Sequence, residues 1–385
     1  MSPTKRITAI LAISSLSACT LTKTIIHNFA DLDDHRIFAN RPVARAEVAS
    51  ALRELPRVPR FVTALQVPDE DGASWGLDEY LERTRTAAFL VMHDDRVIIE
   101  RYARGYDERS LLNSFSIAKS IVAALVGIAH AEGKITSLDA AVAHYRPDFA
   151  DSPYGEVTLR QLLTMTSGMG DAPSMLPGRA QYYYGEDLRA VARSAVRRPP
   201  SPEPWRYSEA DAQMLGFVLE RAVGTSVSAY LAEKLWKPLG MESEALWSLD
   251  RDGGVEKAFC CISARARDFA RFGRLFLDGG RWNGKQVMPA DWAARNVLPG
   301  IATHDGYTHR HMWWTPAGGQ GDFYAYGHNG QYLYVNPAAR VVIVKFSETN
   351  RQDPVPMFRA VSSALRAPEN IAELQRLEAP VFVSR

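Results

Sequence analysis

Strand-like and helix-like apolar patterns occupy different parts of this chain. The runs TAAFLVMH and DRVIIERY, joined at His93-Asp94-Asp95, predict a β-hairpin in the first third of the chain. Near the other end, HMWWTP, FYAYGHNG, QYLYVNP and RVVIVKFSE predict four more strands. The segment from 135 to about 255 is dominated by helical spacing and loops. These patterns predict one sheet assembled from both ends of the chain, an α/β (α+β) fold with an inserted helical subdomain.

Helical spacing also predicts where individual helices begin and end. The most apolar helix, IAKSIVAALVGIAHAE, is apolar nearly all round and is expected to be buried, with Gly133 closing it. VTLRQLLTMTSGM is predicted to run from an N-cap at Thr158 to Gly168, and a later pair of helices is divided by Gly224. GLDEYLERT, ARARDFARFGRLFLD and VPMFRAVSSALRA predict three more helices.

Length and charge exclude some classes of protein. The chain has 385 residues, of which 46% are hydrophobic, and a formal net charge of +1. This length is enough to bury a large core in one domain or two interlocked ones. A near-neutral charge without a basic stripe gives no reason to expect a nucleic-acid partner.

The N terminus is predicted to be a targeting segment. Lys5 and Arg6 precede a short apolar run, and residues 1–18 are interpreted as a signal peptide. The following Cys19 completes LSAC, which resembles the lipobox of bacterial lipoproteins, where the cysteine is lipidated. This predicts a lipid-anchored protein on the periplasmic face of the bacterial cell envelope; the alternative is a plain signal peptide with an incidental cysteine. Residues 19–75 are then a tether and an N-terminal strap, and 76–385 the main domain.

The remaining cysteines and two histidines give little support for a disulfide or a metal site. Cys260 and Cys261 are adjacent, and because a bond between neighbours is strained we expect two small buried residues without a disulfide. His309 and His311 would face the same way on a strand, but no third ligand stands at a supporting spacing. The prediction is therefore no metal and no cofactor.

A possible nucleophile lies at the start of the most apolar helix. Ser116 and Lys119 are three residues apart, so their side chains share one helical face near the positive end of the helix dipole. A helix start with a solvated lysine is the simpler alternative. A lysine near the start of a buried helix, however, is rarely found without a charged partner or a functional role.

Four stretches together resemble one protein family. FSIAKS, LLTMTSGM, the tyrosine of PWRYSEAD and GHNGQ resemble motifs of the serine β-lactamase and penicillin-binding superfamily, class C branch. The likeness is closer to its carboxylesterases and 6-aminohexanoate-oligomer (nylon oligomer) hydrolases, and runs from about Leu77 to Phe346. It implies a β-lactamase/transpeptidase-like fold, in which an antiparallel sheet flanked by helices lies beside an all-helical subdomain, with the active site in the groove between them.

The resemblance implies catalytic roles for three residues. Ser116 is expected to form an acyl-enzyme, with Lys119 as one proton acceptor and Tyr207 as another, its phenol driven toward phenolate by the ammonium. The alternative is that Tyr207 is a buried aromatic residue with one hydrogen bond and no catalytic role. The tyrosine motif, Tyr207-Ser208-Glu209, departs from the family pattern at its third residue, Glu209, where classical β-lactamases carry asparagine. A carboxylate near Lys119 would keep the amine protonated and disfavour β-lactam hydrolysis, unless Glu209 points away.

The GHNGQ stretch resembles the K-T-G segment of the family. Gly330 would let a substrate approach, Asn329 would lie beside it, and the N–H of Gln331 would pair with that of Ser116 as an oxyanion hole. His328 replaces the lysine that grips a substrate carboxylate, so the substrate is expected to lack one. The alternative is a simple Asn-Gly hairpin turn.

Aromatic pairs and runs are weaker candidates for substrate contacts. Tyr183, within Tyr182-Tyr183-Tyr184 in a predicted loop, and Trp313-Trp314 on a predicted strand are the substrate-binding candidates.

The sequence therefore favours a serine hydrolase acting on a small-molecule ester or amide. β-Lactamase or D,D-peptidase activity ranks below it, and a non-catalytic envelope module of the same fold is the competing interpretation.

Overall fold

The computed structural model describes residues 20–27, 30–174, 176–295, 298, 300–303 and 306–378. The predicted signal peptide (1–18) and Cys19 lie outside the described residues. Among the described residues, no helix combines the length and the apolar character needed to span a lipid bilayer.

Helices and strands are numbered along the chain. The helices are α1 (20–26), α2 (Arg60–Thr63), α3 (Leu77–Arg83), α4 (Ile117–Ala131), α5 (Val142–Tyr145), α6 (Leu159–Leu163), α7 (Gly178–Tyr184), α8 (Leu188–Arg193), α9 (Glu209–Val223), α10 (Val227–Leu231), α11 (Ala266–Leu277), α12 (Ala290–Arg295), α13 (Val355–Arg366) and α14 (Pro368–Glu378). The strands are β1 (Asn40–Val43), β2 (Arg53–Glu54), β3 (Gln66–Pro68), β4 (Ser74–Gly76), β5 (Thr86–His93), β6 (Arg96–Tyr102), β7 (Leu112–Asn113), β8 (Met169–Gly170), β9 (Val196–Arg197), β10 (Ala245–Ser248), β11 (Ile262–Ala264), β12 (Arg281–Trp282), β13 (Lys285–Gln286), β14 (Ile301–Ala302), β15 (Thr308–Arg310), β16 (Trp313–Thr315), β17 (Phe323–Gly327), β18 (Gln331–Asn336) and β19 (Val341–Ser347).

The main sheet combines both ends of the chain, as predicted. Its order is β14-β15-β16-β17-β18-β19-β5-β6-β2, and the C-terminal strand β19 pairs antiparallel with β5. The edge strand β2 is the exception to the antiparallel pattern, because it runs parallel to β6. The hairpin β5–β6 and the four C-terminal strands β16 to β19 are confirmed.

Both faces of this sheet are covered, which makes it the centre of the molecule. Alternate residues of β5 point to opposite faces. Leu90 and Met92 join the core that contains α4, α9 and α11, whereas Phe89 and Val91 join the core that contains α3 and α13. The mixed α/β layers that the pattern predicted are therefore present.

Helices make up most of the regular structure in the segment 135–255, but the segment is not all-helical. It carries α5 to α10 together with a two-stranded ribbon of β8 and β9. Its last strand, β10, belongs to a second sheet in the order β1-β10-β11-β7. The strap is thus fastened by β1, since Asn40 to Val43 pair with β10.

Of two helix ends predicted at glycines, the structure confirms the one at Gly224 and not the one at Gly168. Thr158 caps α6 with a full capping box, as predicted, but the helix ends at Leu163 and not at Gly168. The chain leaves the helix there because Met165 adopts a left-handed conformation, with φ of 55°. Gly224 closes α9 in the left-handed conformation, as expected.

Helix α4, which begins just after Ser116, is closely packed against its neighbours. All of its residues from Ile117 to Ala129 are buried. A Cβ built on Gly127 would lie 2.4 Å from the ring of Trp292 on α12, so glycine is required by packing.

We expect Gly127→Ala to destabilise the protein. Alanine normally favours a helix over glycine by about 1 kcal/mol, but the clash with Trp292 is expected to cost about 1–3 kcal/mol more than that gain. Denaturant unfolding of the variant measures this. In a Trp292→Ala background the same substitution should become neutral or stabilising, and an equal loss in both backgrounds would contradict the packing explanation.

Candidate active site

The turn before α4 places Ser116 at the N-terminal end of the helix. Phe115 has φ of 43°, a left-handed conformation that bends the chain sharply just before Ser116. Two backbone hydrogen bonds fix this turn to the start of β11: the N–H of Ser114 donates to the carbonyl of Ile262 (2.9 Å), and the N–H of Cys261 donates to that of Phe115 (3.2 Å). The two residues just before Ser116 are therefore held by backbone contacts.

Lys119 lies beside the predicted nucleophile. Its Nζ is 2.8 Å from Ser116 Oγ and donates a second hydrogen bond to the carbonyl of Phe259 at 2.6 Å. Burial lowers the pKa of Lys119 to about 8, while the charge of Glu209 opposes this shift and that of Arg179 adds to it. A lysine in this state is neutral in a useful fraction of molecules near neutral pH.

Tyr207 completes a cluster of three groups. The Nζ atom of Lys119 lies 4.9 Å from the centroid of its ring, and interaction with the Ser116 side chain lowers the pKa of its phenol. The ring of Tyr207 also stacks on that of Trp314, with the centroids 6.1 Å apart. Burial, followed by the charge of Glu209, raises the pKa of Tyr207 well above its usual range. This shift favours the neutral phenol over the expected phenolate, and the catalytic role of Tyr207 stays a prediction.

Glu209 does not point away from the cleft. It is the first residue of α9, after the N-cap Ser208, and its Oε1 lies 3.5 Å from Nε of Arg179. Both side chains line the cleft. The carboxylate does raise the pKa of Lys119, as the sequence suggested, but burial outweighs it.

The cleft in front of Ser116 has a volume of about 490 Å³ and a wall made largely of aromatic rings. The lining residues are Ala30, Phe115, Ser116, Arg179, Ala180, Tyr183, Tyr184, Tyr207, Glu209, Phe259, Cys260, Trp314, Tyr326 and His328. Sequence reasoning missed Arg179, Phe259 and Tyr326. The last of these sits on a predicted strand two residues before His328, and the period of two could have placed it on the same face.

The GHNGQ stretch is a hairpin turn that packs on the nucleophile. Gly327 pairs with Gln331 across the turn. A Cβ on Gly327 would lie 2.4 Å from the carbonyl oxygen of Ser114, so only glycine allows this approach. The ring of His328 meets that of Phe115 edge-on at 5.7 Å and lines the cleft.

The rest of this hairpin has supporting contacts. Asn329 and Gly330 both have positive φ, and Asn329 Nδ2 donates to the carbonyl of Ala30 at 2.7 Å. The buried amide of Gln331 donates to the carbonyl of Ser347 at 2.8 Å. The hairpin interpretation is thus correct for the backbone, and the oxyanion role of the Gln331 N–H stays a prediction.

The N-terminal strap forms part of the cleft. Tyr183 lies on α7, a helix where a loop was expected, and its hydroxyl donates to Asp34 at 2.5 Å. The N–H of Asn113, three residues before Ser116, donates to the carbonyl of Leu32 at 3.0 Å. The strap therefore orients both a cleft tyrosine and the strand that leads to the nucleophile.

The prediction for the two adjacent cysteines is confirmed for their burial and wrong for the absence of a disulfide. Cys260 and Cys261 are buried, but the structure joins them by a disulfide. The left-handed backbone of Cys261, with φ of 75°, turns the chain where the two meet. The bond lies in the segment whose Phe259 carbonyl holds Lys119.

His309 and His311 do not converge. His309 contacts the rings of Trp205 and Trp314, whereas His311 leaves the strand and stacks on Trp292 at 4.6 Å. Burial lowers the pKa of both imidazoles, to about 3 and about 4. Within the described residues, no three potential ligands cluster at a metal-binding distance.

Comparison with known proteins agrees with this geometry. The Beta-lactamase family model matches residues 77–366. The chain belongs to the beta-lactamase family. The predicted family and the serine-hydrolase class are therefore confirmed, and the fold is that of β-lactamases and transpeptidases.

Individual relatives are hydrolases. A 6-aminohexanoate-dimer hydrolase of Paenarthrobacter ureafaciens is 29% identical over 332 residues, covering 79% of this chain and 81% of that protein. Esterase EstB of Burkholderia gladioli is 31% identical, over 42% of this chain and 47% of that protein. A solved Bacillus anthracis structure described as "Putative 6-aminohexanoate-dimer hydrolase" aligns with a TM-score of 0.77 and 25% identity, over 90% of this chain and 93% of that one.

We expect Glu209→Gln to move the pH dependence of Ser116 reactivity to lower pH. The carboxylate raises the pKa of Lys119, so its removal lets the amine become neutral at a lower pH. The rate of fluorophosphonate labelling, measured against pH, reports this midpoint. Glu156→Gln, which changes an exposed carboxylate, is the control; an unchanged or upward-shifted midpoint in Glu209→Gln would contradict the electrostatic coupling.

Proposed function

We propose that this protein hydrolyses an ester or amide bond of a small molecule through an acyl-enzyme on Ser116. The observation that carries the proposal is the 2.8 Å contact between Lys119 Nζ and Ser116 Oγ, made by an amine that burial has shifted to a pKa of about 8. A serine hydroxyl is a weak nucleophile until a neighbouring base accepts its proton.

Acylation uses the three clustered groups in sequence. Neutral Lys119 accepts the proton of Ser116 as Oγ forms a bond to the substrate carbonyl carbon. The N–H groups of Ser116 and Gln331 are proposed to stabilise the oxyanion. Tyr207, a phenol at neutral pH, donates its proton to the leaving oxygen or nitrogen, the acyl bond to that atom breaks, and the ammonium of Lys119 returns a proton to Tyr207.

Deacylation repeats these steps with water. Water attacks the acyl carbonyl as its proton passes to the cluster, the Ser116 ester breaks, and Oγ recovers a proton. The aromatic walls formed by Phe115, Tyr183 and Trp314 suit an apolar acyl chain.

Esters and unactivated amides rank above β-lactams for two reasons. His328 supplies no fixed charge where the family's lysine would stand, and Glu209 replaces the asparagine of the tyrosine motif. The curated relatives also include an amide-oligomer hydrolase and an esterase. β-Lactamase or D,D-peptidase activity is the second candidate, and a non-catalytic envelope module is disfavoured because Ser116 and Lys119 are assembled in reactive geometry.

We expect Ser116→Ala to abolish hydrolysis. Loss of the nucleophile should lower kcat/KM for p-nitrophenyl butyrate by roughly 10³-fold or more. Intact-protein mass should show the acyl adduct in the parent protein but not in the variant. Ser194→Ala, at an exposed serine, is the control, and turnover by Ser116→Ala equal to that of the control would contradict the acyl-enzyme.

A second part of the proposal concerns location. The LSAC sequence supports lipidation of Cys19 and anchoring at the periplasmic face of the cell envelope. We expect Cys19→Ser to release the protein from the membrane fraction and to abolish incorporation of labelled palmitate. A parent protein that is soluble and unlabelled would contradict the anchor and favour a plain signal peptide.

A further inference from the structure

A second groove, with a volume of about 410 Å³, adjoins the catalytic cleft on the side of the helical segment. It is lined by Arg179, Arg198, Ser201, Glu203, Trp205, Arg206 and Tyr207. Arg179 and Tyr207 line both cavities, so the groove continues from the catalytic cleft at the phenol proposed to protonate the leaving group. Three arginines and one glutamate line it, and because Arg179 is paired with Glu209, the excess positive charge belongs to Arg198 and Arg206.

Two of these arginines, Arg198 and Arg206, form no salt bridge with a carboxylate of the residues that the structure describes. The third, Arg179, is paired with Glu209, and Arg197, outside the groove, with Glu156. Arg198 is half-buried, and its Nε donates to the carbonyl of Met169 at 2.9 Å. This bond fixes the side chain, and among the described residues the two terminal nitrogens of its guanidinium have no hydrogen-bond partner.

Arg198 and Arg206 also repel each other. Burial, and next the charge of Arg206, lowers the pKa of Arg198 below its usual range. Two carboxylates offset part of this repulsion: the charge of Asp211 raises the pKa of Arg198, and the charges of Arg206 and Arg179 lower that of Asp171. Two guanidinium groups in one groove are an unfavourable arrangement that an anion lying between them would relieve.

We propose that this arginine groove binds a carboxylate at the far end of the substrate's leaving group. The inference rests on the proposed function, because it takes Tyr207 as the group that protonates the leaving atom. Guanidinium groups bind carboxylates through paired, charge-assisted hydrogen bonds. In this proposal the positive charge that binds a substrate carboxylate comes from the helical segment and not from position 328, so the proposal replaces the expectation of a substrate without a carboxylate.

The test compares matched substrates. Butanoyl esters of 6-hydroxyhexanoate and of 4-hydroxybenzoate are each paired with the corresponding carboxamide, and product release is followed by chromatography. For at least one pair, kcat/KM for the carboxylate should exceed that for the carboxamide by about tenfold or more, the effect of one good charged contact. Raising the salt concentration to about 0.5 M should reduce this preference by screening exposed charges.

Variants locate the effect. Arg198→Gln/Arg206→Gln should bring the preference close to one, and the exposed Arg206→Gln alone should reduce it. Arg197→Gln, which removes the same charge one residue away and outside the groove, should keep the preference of the parent protein. Because the readout is a ratio between two substrates, loss of folded protein cannot imitate it.

The outcomes separate this inference from the proposed function. Turnover that depends on Ser116 but shows no carboxylate preference would overturn the groove and leave the acyl-enzyme intact. A preference that survives in the double variant would also overturn it. The absence of Ser116-dependent turnover of every ester and amide tested would overturn the proposed function itself.

Discussion

The burial of one amine organises the whole site. Lys119 is 2% exposed, and its ammonium donates to one hydroxyl and one backbone carbonyl, from Ser116 and Phe259. Removing an ammonium from water disfavours its charged form, which is why its pKa falls despite the carboxylate of Glu209 nearby. Burial in the same cluster raises the pKa of the Tyr207 phenol. In the proposed mechanism a base and an acid therefore coexist near neutral pH because both are desolvated.

The fold serves this arrangement by bringing distant segments against the start of α4. The Phe259 carbonyl and the Cys261 N–H come from a segment about 140 residues further along the chain. The β17–β18 hairpin approaches the same turn at Gly327, and the strap reaches it through Leu32. The nucleophile is therefore positioned by backbone contacts from several directions, which is a rigid way to hold a reactive geometry.

Much of this could be predicted from the sequence, for identifiable reasons. The change from polar to apolar residues at Ser116 marks a helix start, and long strands such as β5 and β19 carry strong apolar runs. Strands such as β1 and β7 were missed because two to four residues carry no readable period and gain their hydrogen bonds from distant partners.

Contacts between residues that are far apart along the chain could not be predicted from the sequence. Nothing local links Asp34 to Tyr183, which are 149 residues apart. The Cys260–Cys261 bond depends on a backbone conformation that residue types do not reveal. The arginine groove likewise forms only when α7 and the segment before Tyr207 are brought together.

The most direct test of the central claim is a titration of the Lys119 side chain. Lysine labelled with ¹³C at Cε can be followed by NMR against pH, with Lys119→Arg identifying its signal. We expect a midpoint of about 8, well below the usual 10.5. A midpoint near 10.5 would mean that the amine is not desolvated, and would contradict its role as the base that activates Ser116.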